Sequence, residues 1–128
     1  MKNTEVEATI APPPTILGMS FAQSAYPMWV YDRATLAFLD VNEAAVWAYG
    51  YSRQLFLTMT ILDIRPAMDV PGLLQRTRDP RLQEVQSTAE NWRHQTKSGD
   101  VFPVAITSWN MTFRGRPAEL VLARRESA

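Results

Sequence analysis

The chain has no cysteine. Disulfides, thiolate zinc sites and cysteine nucleophiles are therefore excluded outright, and the redox compartment stays open, compatible with the cytoplasm. Glycine is scarce: there are five in 128 residues, none in a G-x-G pattern. No glycine-rich loop is available to cradle a phosphate. Ser24, Ser52 and Ser108 stand outside any G-x-S-x-G context, so hydrolase chemistry of that kind has no support. His94 is the single histidine. No apolar run approaches the ~18 residues of a membrane helix. No apolar stretch precedes Pro12, so the N-terminus does not read as a secretory signal. Lys+Arg and Asp+Glu are 13 each, a formal net charge of zero. No field of either sign argues for nucleic acid or an anionic membrane as a partner.

What is present suits one globular domain with one core: 46% of the residues are hydrophobic and 20% charged. Residues 1–15 read as a mobile tail, ending in the run Ala11-Pro12-Pro13-Pro14, where proline locks φ and removes donors. Residues 16–126 read as the domain. Residues 16–25 suit a short helix that Gly18 weakens, so its start is expected nearer Ser20. Met28–Tyr31 is an apolar, aromatic and β-branched run that suits a strand, and Asp32-Arg33-Ala34-Thr35 has turn chemistry. Leu36–Val41 returns as a strand. Asn42 is placed to cap a helix carried by Ala44 to Tyr49, and Gly50 to end it. A short helix follows from Ser52. Ile61–Arg65 adds a turn stopped by Pro66. Leu73, Leu74 and Thr77 support a helix between the breakers Pro71-Gly72 and Asp79-Pro80. Arg81–Ala89 reads equally as a helical piece or a loop. Asn91–Thr96, Val101–Met111 and Pro117–Ala123 read as strands, joined by turns around Gly99 and Gly115.

That order gives an α+β domain with helices on one face of an antiparallel sheet. Asp32, Val41-Asn42 and Tyr49-Gly50-Tyr51-Ser52 resemble the front half of a PAS domain. Trp92-Arg93-His94, Lys97-Ser98-Gly99-Asp100 and Phe113-Arg114-Gly115-Arg116-Pro117 resemble its back half. The resemblance runs from Phe21 to Ala123 and implies a PAS-like fold. Its five-stranded sheet wraps a small cavity against short helices, and an N-terminal helix lies on the other face. It also implies a role in sensing, with a ligand entrance often found in the part corresponding to residues 67–90.

Alternation along the strands, taken with the resemblance, assigns the faces. Trp29, Tyr31, Phe38, Trp92, His94, Val104, Ile106, Ser108, Val121 and Ala123 should face the helices. Val30, Leu39, Thr107, Trp109, Leu120 and Leu122 should face away. That outer set would be an apolar patch larger than monomers usually leave bare, so a cover is expected from the helix at residues 16–26 and from a second copy of the chain.

The resemblance implies a cavity lined by Trp29, Tyr31, Phe38, Val46, Tyr49, His94, Ile106, Ser108 and Val121. His94 there could meet a ligand or titrate near neutrality. The blander reading, a buried strand histidine tied to a neighbour, leads, because no orienting partner is visible in sequence. Flavin adduct chemistry needs a cysteine near Ile61 and cannot occur. Haem-binding members usually carry the ligand histidine on the helix before the third strand, and residues 67–90 hold none. A small organic molecule is favoured over either cofactor, and no metal site is expected. Asp32 and Asp40 read as turn-forming or salt-bridging acids rather than a catalytic pair. The basic group Arg76, Arg78 and Arg81 reads as a solvated helix face.

The leading expectation is a cytoplasmic PAS sensor, not an enzyme. It would bind a small, mostly apolar ligand and signal through a homodimer to a kinase, cyclase or transcription factor outside this chain. The runner-up is the same fold used only for dimerisation, its cavity filled by its own aromatics. A small α+β enzyme comes third; it requires His94 or a carboxylate with a perturbed pKa in a deep pocket.

Overall fold

Two adjacent strands that are apolar on both faces set the architecture. In the computed structural model, which describes residues 20–78 and 86–126, these are β1 (Met28–Asp32) and β5 (Arg116–Arg125). Trp29 lies opposite Val121 and Val30 opposite Leu120. A strand buried on both sides belongs in the middle of a sheet with cover above and below. The remaining strands are β2 (Phe38–Val41), β3 (Gln86–Gln95) and β4 (Val101–Phe113). The spatial order is β2-β1-β5-β4-β3, with every neighbouring pair antiparallel.

Several strand limits differ from the sequence reading. β2 starts at Phe38 rather than Leu36, because Leu36 is held in a left-handed conformation (φ 67°) and its N–H bonds back to the Asp32 carbonyl at 2.7 Å. β3 starts at Gln86 rather than Asn91, because β4 runs on to Phe113 and offers partners as far as Trp109. β5 extends to Arg125 for the same reason, pairing with Val104. Residues 79–85, and with them most of the segment read as helix or loop, lie outside the described residues. Arg114 and Gly115 both take positive φ (51° and 80°). That is the signature of a two-residue turn whose twist matches the flanking strands.

The helices follow from their caps. α1 (Glu43–Tyr49) begins at Asn42, whose Oδ1 accepts from the Ala45 N–H at 3.0 Å. It ends at Gly50 (φ 83°), whose N–H reaches the Val46 carbonyl. α2 (Arg53–Phe56) is capped by Ser52. A 3-10 turn over Ile61–Ile64 carries a capping box, Thr60 with Asp63. Pro66 then disfavours helix at Arg65, which turns extended (φ −127°, ψ 148°). A second 3-10 turn (Ala67–Asp69) leads into α3 (Val70–Arg78), where Pro71 sits in the first turn, which tolerates its missing N–H.

The alternation of side chains across β1 and β5 divides the interior in two. Towards the helices, Trp29, Phe38, Val41, Ala45, Tyr49, Phe56, Ile61, Ile64, Leu73, Phe102, Val104, Val121 and Ala123 form one buried cluster. On the outer face Met28, Val30, Phe113, Ala118, Leu120 and Leu122 form another, with Phe21, Tyr26, Leu39, Trp109 and Met111 packed against it. Part of the expected cover is thus supplied by residues 20–26. Within the described residues this cover is a single turn, closed by the Ser24 N–H on the Ser20 carbonyl at 2.9 Å, and not the longer helix expected. Residues 16–19 lie outside the described part. Among the described residues no helix is long and apolar enough to cross a membrane.

One side chain ties these parts together. Besides capping α1, Asn42 Oδ1 accepts from the Met28 N–H at 2.9 Å, while Nδ2 donates to the carbonyls of Phe21 (2.9 Å) and Tyr26 (3.1 Å). Asn42→Asp keeps the two acceptor bonds but sets a carboxylate against two carbonyls. It should lower unfolding free energy in urea by about 2–4 kcal/mol. A loss below about 0.5 kcal/mol, the range of surface changes, would show that the donors contribute nothing.

Candidate functional site

The inner face of the sheet has two ends of different character. At one end six rings close on each other. Trp29 meets Phe38, Tyr49 and His94 at centroid separations of 5.8, 5.6 and 5.7 Å, and Phe38 meets Phe56 at 5.0 Å. Tyr49 also meets Phe102, at 5.6 Å. The tilted and edge-on pairings are those that ring quadrupoles favour. All six side chains are buried.

His94 sits inside this cluster and is completely buried. Its Nδ1 is hydrogen-bonded to the Tyr49 hydroxyl. Burial, with the nearby charge of Arg65 adding to it, holds the imidazole well below its ordinary pKa of 6.5, so the ring is neutral at neutral pH. Burial likewise raises the Tyr49 hydroxyl far above its usual range. The Tyr49 hydroxyl therefore keeps its proton and donates it to Nδ1, which leaves the ring proton on Nε2. The opposite tautomer would leave the tyrosine proton without an acceptor. Nε2 is buried and has no partner.

The rest of the inner face is more polar and partly open. Tyr31, Trp92 and Ile106 are half-buried there, and Ser108 is buried. Glu119, directly across from Tyr31 on β5, points the same way and is hydrogen-bonded by Ser108. Burial raises the Glu119 carboxyl against the opposing pull of Ser108, Arg33 and Arg76. Burial, with help from Glu119, pushes the Tyr31 hydroxyl up to about 12. Between the two ends lies Arg65, 9% exposed, its guanidinium carbon 5.2 Å from the centre of the Trp92 ring. Its Nε and Nη1 are buried without a hydrogen-bond partner. Burial lowers it to about 10. The carboxylate that acts on it, Asp69, is already gripped by Arg93 through bonds of 3.0 and 2.8 Å.

Of the residues expected to line a cavity, Trp29, Phe38, Tyr49 and Val121 belong to the inner buried cluster, with Val46 against it, and His94 is buried beside them. Tyr31 and Ile106 are half-buried against that cluster, and Ser108 is buried opposite Val121. Sequence reasoning missed Arg65 and Glu119. The second was legible, since stepping back two residues from Val121 along β5 reaches the same face. The first was not: a charged residue before proline reads as a solvated helix end. Asp32 and Asp40 behave as expected. Asp32 accepts from the Ala34 and Thr35 amides at 2.7 and 3.1 Å and pairs with Arg116; Asp40 pairs with Arg53. Among the described residues no group of histidine, aspartate and glutamate could hold a metal ion. A groove of about 570 Å³ bordered by Trp47, Gly50, Lys97 and Arg125 lies open on the outside of α1 and is not part of the inner face.

No protein-family model and no curated protein matches the sequence. Solved structures do match. A domain of a sensory box sensor histidine kinase/response regulator from Geobacter sulfurreducens superposes with a TM-score of 0.66 at 22% identity, covering 81% of this chain and 86% of that one. A PAS domain from Colwellia psychrerythraea gives 0.71 at 16% identity, covering 83% and 90%. The PAS domain of a LuxR-family transcriptional regulator from Burkholderia thailandensis, solved in complex with ethanol, gives 0.67 at 12% identity, covering 84% and 95%. The fold of this chain is the PAS fold.

The buried neutral histidine has a consequence for acid stability. A depressed folded-state pKa means the unfolded chain takes up the proton first. The contribution of His94 is therefore whole above pH 6.5 and is lost as pH falls from there towards the folded-state value. As the chain has one histidine, His94→Gln isolates it. Plotted against pH, the stability difference between wild type and variant should slope by up to about 1.4 kcal/mol per unit below that point. Parallel curves would mean that His94 is protonated in the folded protein.

Proposed function

We propose that this chain, with its PAS fold, is the sensory module of a larger signalling protein. Residues 16–126 form the module and residues 1–15 a tail. The module takes up a small organic molecule with a mostly apolar body on the inner face of the sheet. The entry lies at the end formed by Tyr31, Trp92, Ile106 and Ser108. It acts through packing, not as an enzyme. Binding favours one arrangement of helices on sheet, and β1 and β5 carry that arrangement to the outer face, where a homodimer contact relays it to an output module outside the chain. The observation that carries this reading is the unequal inner face: one end is closed by six rings, while the other keeps apolar side chains half-exposed beside buried polar atoms without partners. The outer contact draws support from Leu39, Trp109 and Met111, which stay partly exposed at the rim of the outer cluster.

The closed ring cluster also favours the second reading, a ligand-free dimerisation module, because it occupies the space expected of a cavity. Native mass spectrometry of the purified protein, together with thermal shift against a panel of small aromatic and aliphatic compounds, separates the two. The sensor reading expects a bound mass or a ligand-dependent rise in Tm, and Ile106→Trp, which fills the open end, should abolish it. A protein that stays bare, and whose Tm no compound moves, is a dimerisation module.

A further inference from the structure

Beside Trp92 and His94 the buried polar atoms left over are donors, whereas the unpartnered acceptor Asn110 Oδ1 lies further along β4, opposite Glu119. Arg65 Nε–H, Arg65 Nη1–H and His94 Nε2–H are buried and unpartnered. Buried polar groups are overwhelmingly hydrogen-bonded, so three unmatched donors of one sign define the complement they lack: an acceptor, preferably charged. The stacking of Arg65 on Trp92 does not supply it. A cation over a ring engages the ring face and gives Nε–H and Nη1–H no hydrogen-bond acceptor. Among the described residues no carboxylate forms an ion pair with Arg65. Asp69 is held by Arg93, and Glu119 is taken up by Ser108 with Arg33 3.8 Å away. Arg65 acts electrostatically on Tyr31, Tyr49 and His94, which puts its charge between the closed and open ends.

We propose that the ligand is a small organic carboxylate, its oxygens received by the unpartnered N–H groups of Arg65 and the Nε2–H of His94, its apolar body lying against Trp92 and Ile106. This deepens the sensory reading and rests on it. A carboxylate is favoured over a neutral acceptor because hydrogen bonds between charged groups are the stronger ones. Tyr49 has a positioning role: by donating to Nδ1 it fixes the histidine tautomer that offers Nε2–H. The neutral ring makes this a hydrogen-bond donor and leaves the whole positive charge on Arg65. Among the described residues no carboxylate pairs with this buried cation, and the ligand supplies one on binding.

The test compares matched pairs, benzoate with benzamide and phenylacetate with phenylacetamide, at millimolar concentration. Thermal shift and ¹H–¹⁵N NMR of the full chain are read together. At least one carboxylate should raise Tm and bind about tenfold or more tighter than its amide. It should also move the Arg65 Nε and His94 Nε2 resonances. Arg65→Met should erase the preference for the acid while melting no lower than the unliganded wild type, because it removes an unpaired buried charge. Arg65→Gln serves as a second variant that keeps polarity, and His94→Gln should weaken carboxylate binding less than either. Equal binding of acids and amides, or an acid preference that survives in both Arg65 variants, overturns the anionic ligand and leaves the sensory reading in place. No binding by any of the four, with no shift of either resonance, overturns the carboxylate ligand, while the sensory reading falls only if the protein also stays bare in native mass spectrometry and against the wider panel.

Discussion

The four hydrogen bonds of the Asn42 side chain are the constraint on which the rest of this structure depends. A buried primary amide has two donors and an acceptor with two lone pairs, and here every one is used, on three separate pieces of chain. The acceptor starts α1 and receives the first amide of β1. The donors hold both ends of the segment from Phe21 to Tyr26. Burying an amide without these partners would cost more than most single contacts return, so its full satisfaction fixes where helix, central strand and outer cover stand relative to one another. Tyr49, six residues into α1, is then delivered to His94, and Phe21 and Tyr26 are delivered to the outer cluster.

Much of this was legible in the sequence because it is local. The caps at Asn42, Ser52 and Gly50 and the turn at Asp32 are short-range chemistry. So is the alternation that sends Trp92 and His94 one way and Trp109 and Leu122 the other. What escaped was whatever depends on a distant partner. β3 begins five residues early because β4 is long enough to pair with it, and no local signal in Gln86–Glu90 announces a strand. Leu36 takes a left-handed conformation that a branched apolar residue avoids on its own account; the bridge between Ala37 and Thr60 beside it comes from elsewhere in the chain.

The site was legible to a smaller degree, for a reason of the same kind. Aromatic residues at inward strand positions mark the inner face, but they do not say whether they line a space or fill it. That depends on how Trp29, Phe38, Tyr49, Phe56 and Phe102 meet across sixty residues and more of chain, and they meet edge to face and fill it. Arg65 illustrates the converse. In the sequence it ends a turn before a proline, where a basic residue ordinarily reaches solvent. In the fold the extended backbone that Pro66 imposes leaves it covered, stacked on Trp92.

The two clusters are not independent, because the same two strands build both. Trp29 and Val121 belong to the inner cluster, while their immediate neighbours Met28, Val30, Leu120 and Leu122 belong to the outer one. A pleated strand cannot shift its inward side chains without carrying the outward ones, since both project from one backbone at a spacing of two. Interiors packed at this density pass displacement on rather than absorb it. Arg65 and His94 touch the inner cluster, Phe21 and Tyr26 touch the outer one, and Asn42 bonds to both sides of β1. A displacement of the inner cluster is therefore carried through β1 and β5 to the outer one.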